Sequence, residues 1–333
     1  MTVSRVFNGK PNVDDKTRTK VLKAARKIGY RPNLIARSLA LSRTRTIGVV
    51  IPEISHSFFP EAIRGIEEVT TKAGYHLLLM HSAETADRER DALHTLEANR
   101  VDGILLSVAQ NAEDEKPYER VMALGIPLVF FDRCVRGIGA TCVSIDDEES
   151  ARVITHHLIE HGYTRIAHLA GPPHLGISRD RAAGYRRAHA EAGIVCDPAL
   201  TVISGFHEDA GYAAMRPLLD LSPGQRPRAV VAINDPAAYG AMRAITDSGL
   251  SVPEDVAVVG FSDDLRASLI PVPLTTIRQP AYDLGCAAAE RLIAAISGEK
   301  RSGKDQIVRA ELVVRSSCGC TPPGTKRTLE KRS

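Results

Sequence analysis

At 333 residues, 44% hydrophobic and 25% charged, the chain has the composition of a globular protein with room for two domains and a full core. No run of 18 apolar residues occurs, and the first residues lack an apolar stretch with a small-residue cleavage site, so a membrane span and a secretory leader are not expected and the cytosol is. The net charge of +3 hides a lopsided distribution: residues 1–46 carry twelve Lys and Arg against Asp14 and Asp15, or +10, which leaves −7 for the other 287. A small basic head on an acidic body suits a polyanionic partner, because each phosphate neutralised by Lys or Arg releases counterions.

Val3, Val6 and Phe7 stand at helical spacing in "MTVSRVFNGKPNV" before Asn8-Gly9 and Pro11 break the run, which predicts barely two turns of helix. Asp14 reads as the N-cap of a second helix. Its Val21, Leu22, Ala25 and Ile28 form one apolar stripe, and Gly29 is placed to end it. "RPNLIARSLA" predicts a short helix over 33–40, followed by the polar linker "LSRTRT".

From Thr46 the pattern changes to short β-branched runs alternating with amphipathic helices. Strands are predicted at 46–51, 75–80, 101–107, 127–132, 141–145, 165–170, 200–203, 228–233 and 256–261, and helices near 59–73, 86–99, 148–161, 181–192, 209–220 and 236–248. Strands that are apolar throughout are buried on both faces, which means parallel sheets covered by helices. The break at "VSIDDEESA" (143–151) divides the run into two comparable sets, so the pattern predicts two doubly wound α/β lobes in preference to one large sheet. In such sheets ligands sit outside the carboxyl ends of the strands.

Aromatic and polar residues gather at those ends. Phe58 and Phe59 follow the first strand and Asp132-Arg133 the fourth; the loop "GPPHLGIS" after the sixth leads to Arg181; Phe206, Asn234-Asp235 and Ser262-Asp263 follow the last three. Singly each has an ordinary reading: Phe58 as core, Asp235 as a helix N-cap, Arg181 as a surface cation. Their recurrence points both sets at one cleft, whose aromatic walls and fixed carboxylate, amide and guanidinium groups suit a small polyhydroxylated or heterocyclic ligand.

Signals for catalysis are weak. "GPPHLG" has the glycine spacing of a phosphate loop but continues Ile-Ser where Lys-Ser/Thr is needed, and neither GxGxxG nor GxSxG is present. No catalytic residue and no cofactor are expected. The six cysteines are scattered except Cys318-Gly-Cys320 and read as reduced core or surface thiols. His157 and His161 share a helix face, but "HLIEH" lacks the glutamate of HExxH; the pair reads as a solvated face, and no metal site is expected.

"TVSRVFNGKPNVDDKTRTKVLKAARKIGYRPNLIARSLALSRTRTIGVVIPEISHSFF" resembles the N-terminal half of LacI/GalR-family transcriptional regulators. The likeness runs on through "RVDGILL", "IPLVFFDR", "HLIEHGYTRIAHLAG", "RAAGYRRA", "INDPAAYGAMRA", "VPEDVAVVGFSDD" and "PLTTIRQP", nearly the whole chain. The resemblance implies a helix-turn-helix head, a hinge helix and a two-lobed core similar to periplasmic sugar-binding proteins. It implies a repressor that binds operator DNA as a dimer and is switched by a small effector, a sugar or related metabolite, in the cleft.

The corresponding boundaries are a head at 1–32, hinge helix and linker at 33–45, and a core at 46–333. Within the core the N-lobe is expected at about 46–146 plus 274–303, the C-lobe at about 147–273 plus 304–317, and a flexible tail at 318–333. By the resemblance, Thr2, Ser4 and Arg5 match the recognition helix that lies in the major groove. Asn33, Ala36 and Leu39 match the hinge helix, with Leu39 as the apolar wedge in the minor groove. Phe58, Phe59, Asp132, Arg181, Phe206, Asn234, Ser262 and Gln279 match effector-pocket positions, and Asp263 is adjacent. The family usually has Asp where Ser262 stands, so the resemblance implies that this strong acceptor for a sugar hydroxyl is either weakened here or replaced by Asp263.

The C-terminal "CGCTPPGTKRTLEKRS" has no leucine heptads of the kind that hold some members as tetramers, so a homodimer is expected. Members place one more helix and turn ahead of "TVSRV", so the head is read as an incomplete helix-turn-helix. A second function therefore stays open, a cytosolic small-molecule-binding protein without specific DNA binding.

Overall fold

The structure is a computed structural model that describes residues 6, 13–28, 43–299 and 304–320. The DNA-facing residues expected at Thr2, Ser4, Arg5, Asn33, Ala36 and Leu39 lie outside the described residues.

Helix α1 (Asp15–Lys27) starts as the sequence predicts: Asp14 Oδ1 accepts the Thr17 N–H at 2.9 Å. Asp15 stands at the positive end of the helix dipole and Arg26 and Lys27 at the negative end. Its apolar stripe is only partly covered. Ala25 is buried, but Leu22 and Ile28 are exposed.

The first lobe is built on β1 (Thr46–Ile51), α2 (Phe58–Lys72), β2 (His76–His81), α3 (Ala86–Ala98), β3 (Gly103–Leu106), α4 (Lys116–Ala123), β4 (Leu128–Phe131) and β5 (Thr141–Ser144). The second follows as α5 (Asp147–Glu160), β6 (Ile166–Ala170), α6 (Gly176–Glu191), β7 (Thr201–Ile203), α7 (Glu208–Leu219), β8 (Ala229–Ala232), α8 (Asp235–Asp247), β9 (Ala257–Ser262) and β10 (Thr275–Arg278). The chain then returns to the first lobe through α9 (Ala281–Ile296) and β11 (Gln306–Ile307), and ends in the second with β12 (Glu311–Val313).

The two sheets run β11-β5-β4-β3-β1-β2 and β12-β10-β9-β8-β6-β7, parallel throughout except for β12 against β10. β3, β4, β5 and β8 are buried at every position, the consequence of covering each sheet with helices on both faces. The strand order reverses beside β1 and again beside β6, which opens a crevice at the carboxyl edge of each sheet.

Several boundaries differ from those expected. β10 pairs with β9 in the second sheet, where the sequence places 274–303 in the first lobe, and β11 pairs with β5 in the first, where the sequence places 304–317 in the second. The lobes exchange chain at strands only two to four residues long, which carry no readable period. Helix α6 begins at Gly176, well before 181, and has no side-chain cap to mark its start.

Three cysteine and histidine readings are also corrected. Cys134 and Cys142 form a disulfide and are not free thiols: Cys134 lies just past β4, and the intervening loop folds back through Gly137 and Gly139, both with positive φ, to bring Cys142 on the neighbouring β5 alongside. His157 is buried, not solvated, because the chain after β12 lies over it. Residues 318–320 are accordingly not loose tail, and Cys318 is fully buried.

In the first lobe, α2 and α9 cross at Gly65 and Gly285. A Cβ on Gly285 would stand 2.0 Å from the Ala62 carbonyl oxygen, and one on Gly65 2.2 Å from that of Tyr282. Backbone meets backbone there, which seats α9 against α2 in the first lobe.

Candidate functional site

The carboxyl ends of the two sheets face each other, and the side chains there enclose a cavity of about 40 Å3. Eight of the nine expected residues line it: Phe58, Phe59, Asp132, Arg181, Phe206, Asn234, Ser262 and Gln279. His56, Arg133, Ile177 and Pro236 complete the wall. Arg133 and His56 carry the same signal in the sequence as the other lining residues, a place just past a strand. Ligand pockets usually measure roughly 300 to 1,000 Å3, so the space between these side chains is small for a sugar-sized ligand.

Asp263 is the residue that does not arrive. Its carboxylate accepts Arg278 Nε at 2.7 Å and Arg315 Nη2 at 2.6 Å on the far side of the turn. At the end of β9 successive side chains point in opposite directions, so Ser262 meets the cleft and its neighbour does not.

The backbone is strained where it delivers these groups. Asp132 (φ 60°) and Ser262 (φ 122°) both hold left-handed backbone at strand ends, an arrangement that persists only where the surroundings enforce it.

Arg181 is no surface cation: its side chain is 2% exposed. Nε donates to Asp147 Oδ1 at 2.8 Å, Nη1 donates to the Ile233 carbonyl at 2.5 Å, and the guanidinium lies over the Phe261 ring at 4.3 Å. Burial pushes the Asp147 carboxyl up to about 6 against the pull of Arg181, with nearby Asp132 adding to the rise. Burial likewise raises Asp132, opposed by Arg133 and Arg181. Gln279 Nε2 donates to Asp132 Oδ1 at 3.1 Å, so the residue at the lobe crossover holds the buried acid.

Arg133 binds both oxygens of Glu84 through Nη1, at 2.9 and 2.7 Å, and lies over the Phe206 ring of the opposite lobe at 3.9 Å. Its buried Nε has no hydrogen-bond partner, an unmet donor at the cavity wall.

Asn234, not Asp235, caps α8. Its Oδ1 accepts the Ala237 N–H at 2.9 Å and its Nδ2 donates to the Phe206 carbonyl at 2.9 Å. Asp235 lies beneath, fully buried, accepting from Thr276 Oγ1 at 2.6 Å and from the Asp264 N–H at 2.8 Å. Burial pushes its carboxyl up to about 7 against those two hydrogen bonds.

Contacts on either side clamp the lobes. Ser57 Oγ donates to Asp264 Oδ2 at 2.7 Å, and His174 Nε2 donates to the Gln110 carbonyl at 2.5 Å. Arg136 pairs with Asp180 at 3.1 Å.

Two doubly wound lobes closed on a cavity of buried acids, guanidinium groups and rings define a two-lobed binding protein for small molecules. Residues 155–318 match the periplasmic binding protein-like domain, and residues 1–33 match the bacterial regulatory proteins of the lacI family. The HTH-type transcriptional regulator RegA of Clostridium saccharobutylicum is 34% identical over 95% of this chain and 94% of its own length. Catabolite control protein A of Priestia megaterium is 34% identical over 88% of this chain and 87% of its own. Among solved structures, the lac repressor dimer bound to operator and the anti-inducer ONPF superimposes with a TM-score of 0.83 at 30% identity, covering 95% of this chain and 94% of that one. The chain belongs to the LacI family: it is a transcriptional regulator with a helix-turn-helix DNA-binding domain and an effector-binding core.

Proposed function

We propose that the protein is a cytosolic repressor that binds operator DNA as a homodimer and is switched by a sugar or related polyhydroxylated metabolite held between the lobes. The observation that carries this reading is the convergence of the eight residues on one cavity between the sheet ends. Phe58 and Phe206 supply apolar faces for the C–H side of a sugar ring, while Asp132 and Gln279 are placed to accept from and donate to its hydroxyls. Arg133 Nε and the Ser262 hydroxyl offer further polar contacts. A neighbour in structure supports the ligand class: the transcriptional regulator CelR–cellobiose complex has a TM-score of 0.76 at 32% identity, covering 94% of each chain.

DNA contacts are assigned to Thr2, Ser4 and Arg5 on the recognition helix and to Asn33, Ala36 and Leu39 on the hinge helix, with Leu39 wedging the minor groove. Coupling follows from linkage: a ligand that binds the closed lobes more tightly than the open ones shifts the population between them, and with it the order of the hinge helices.

The test is a thermal-shift screen of monosaccharides, disaccharides and nucleosides, followed by calorimetric titration of the hits on wild type and on Asp132→Asn. The reading expects a polyhydroxylated ligand whose affinity falls at least tenfold in the variant. A hit that binds both proteins equally places the ligand elsewhere and overturns it.

A further inference from the structure

The chain that leaves β12 returns to the carboxyl-terminal turn of α5 and sets two cysteines against a histidine 161 residues earlier in sequence. His157 Nε2 stands 3.4 Å from Cys318 Sγ and 3.3 Å from Cys320 Sγ, and the three atoms all lie within 4.8 Å of one another. Both thiols are free.

The chain is shaped to make this triangle. Gly319 holds φ +78°, a conformation that lets Cys318 and Cys320 turn to the same side, and a Cβ there would stand 2.7 Å from the Tyr163 hydroxyl oxygen. Tyr163 Oη donates to the Cys318 carbonyl at 3.2 Å and pins the turn. Thr275 Oγ1 stands 3.2 Å from Cys318 Sγ, a hydroxyl able to donate to that sulfur in its thiolate form. Ligating groups oriented by hydrogen bonds of this kind are the usual surroundings of a metal site.

We propose that His157, Cys318 and Cys320 form a binding site for a thiophilic divalent cation of the Zn2+ type, with a fourth position left to water. Zinc bonds of about 2.3 Å to sulfur and about 2.0 Å to nitrogen place S and N roughly 3.5 Å apart on a tetrahedral edge. The observed separations of 3.3 and 3.4 Å need only a small opening. Two thiolates and an imidazole select zinc over magnesium or calcium, which prefer oxygen. Binding displaces the thiol protons to solvent and leaves the metal in its 2+ state, so no oxidant is required.

The site fastens the last described residues to the end of α5, and the first residue of the same helix, Asp147, holds Arg181 at the cavity. The bound ion therefore braces, from its distant end, an element that carries part of the ligand site. It does not depend on the identity of the effector.

The experiment is a Co2+ titration of the full chain, reduced and stripped of metal, followed by optical absorption and then by Zn2+ competition. The site predicts a thiolate-to-cobalt charge-transfer band and tetrahedral ligand-field bands that saturate at one ion per chain and are bleached by Zn2+. In Cys320→Ser, whose sulfur is only half-buried, the charge-transfer intensity falls by about half, and in His157→Gln the ligand-field bands move. Zn2+ at a hundredfold excess over its wild-type Kd raises the wild-type Tm by about 4 °C and that of Cys320→Ser by clearly less. Wild-type bands that persist unchanged in both variants, or the absence of a charge-transfer band in wild-type protein shown by thiol titration to be reduced and by circular dichroism to be folded, overturn the proposal. So does a Cys318–Cys320 disulfide that forms in air at the same rate with and without excess Zn2+.

Discussion

Ser57 Oγ donates to Asp264 Oδ2 at 2.7 Å, joining the turn that opens α2 in the first lobe to the residue two places past β9 in the second. The Ser57 N–H adds a second bond to the same oxygen at 3.2 Å, and its hydroxyl oxygen accepts the Leu265 N–H at 3.1 Å. Burial alone would raise the Asp264 carboxyl, but the Arg266 N–H and the two Ser57 donors outweigh it and hold the group below the usual carboxylate range. The latch therefore joins an ionised acid to a hydroxyl across the mouth of the cleft.

Ser57→Ala removes the hydroxyl and leaves the Asp264 carboxylate its contacts within its own lobe. A hydrogen bond to a charged group is worth about 1.5–3 kcal/mol, enough to shift the balance between closed and open lobes by about tenfold or more. The variant is expected to show a larger radius of gyration in small-angle scattering without a change in secondary structure. An unchanged radius would show that the latch does not govern closure.

Arg181→Ala strands the Asp147 carboxylate in the interior, where breaking a buried pair costs about 3–5 kcal/mol. The melting temperature is expected to drop by several degrees. Pairing the change with Asp147→Asn should recover a large part of the loss, because the uncompensated charge is gone. If the double variant melts no higher than the single one, the cost arises from packing against Phe261 and not from charge.

Asp235 makes stability depend on pH with an unusual sign. Its folded value of about 7 lies above its unfolded value of 3.8, so the folded state holds the proton through that window. Its contribution is fully present below the unfolded value and is lost as pH rises through 7. Asn at this position mimics the protonated acid, donating to Thr276 Oγ1 and accepting the Asp264 N–H. Relative to wild type, Asp235→Asn should therefore gain stability as pH rises from 4 to 7, with a slope of at most about 1.4 kcal/mol per pH unit. Denaturant titrations across that range measure it, and parallel curves for the two proteins would contradict the assignment.

Gly285→Ala drives a methyl group into the Ala62 carbonyl oxygen, a backbone atom that no rotamer change can move. Overpacking costs about 1–3 kcal/mol, and the rigid obstacle places this variant at the upper end. Ala on an exposed helix surface carries no such cost, so Glu290→Ala on the same helix serves as the control in thermal melts. Equal melting temperatures for the two variants would mean that α9 has room to shift.

Much of this molecule was legible in its sequence, and the reasons are physical. Runs such as "TIGVVI" and "RAVVAI" are apolar without alternation because both sheet faces are covered, so strand positions and the two-lobed class follow directly. Strand ends are readable as ligand sites for the same topological reason, which is why the sequence points Asp132, Arg181 and Phe206 at one cleft. What could not be read depends on tertiary register. The exchanges at β10 and β11 rest on pairings of two to four residues. Whether Ser262 or Asp263 faces the cleft turns on a single step along a strand. Cys318 and His157 meet only because the chain recrosses between lobes, a proximity that no spacing rule encodes. The base-reading side chains proposed at Thr2, Ser4 and Arg5 lie outside the described residues.

The central claim, that occupancy of the cleft controls operator binding, is tested most directly by fluorescence anisotropy of the purified full-length chain on DNA from its own upstream region. The titration is run at about 200 mM salt, where non-specific phosphate contacts are weak, with and without the polyhydroxylated ligand found by the thermal-shift screen. The account expects specific binding whose Kd changes at least tenfold on adding ligand, with that change lost in Asp132→Asn. Specific binding that is indifferent to a ligand shown to occupy the cleft would contradict it.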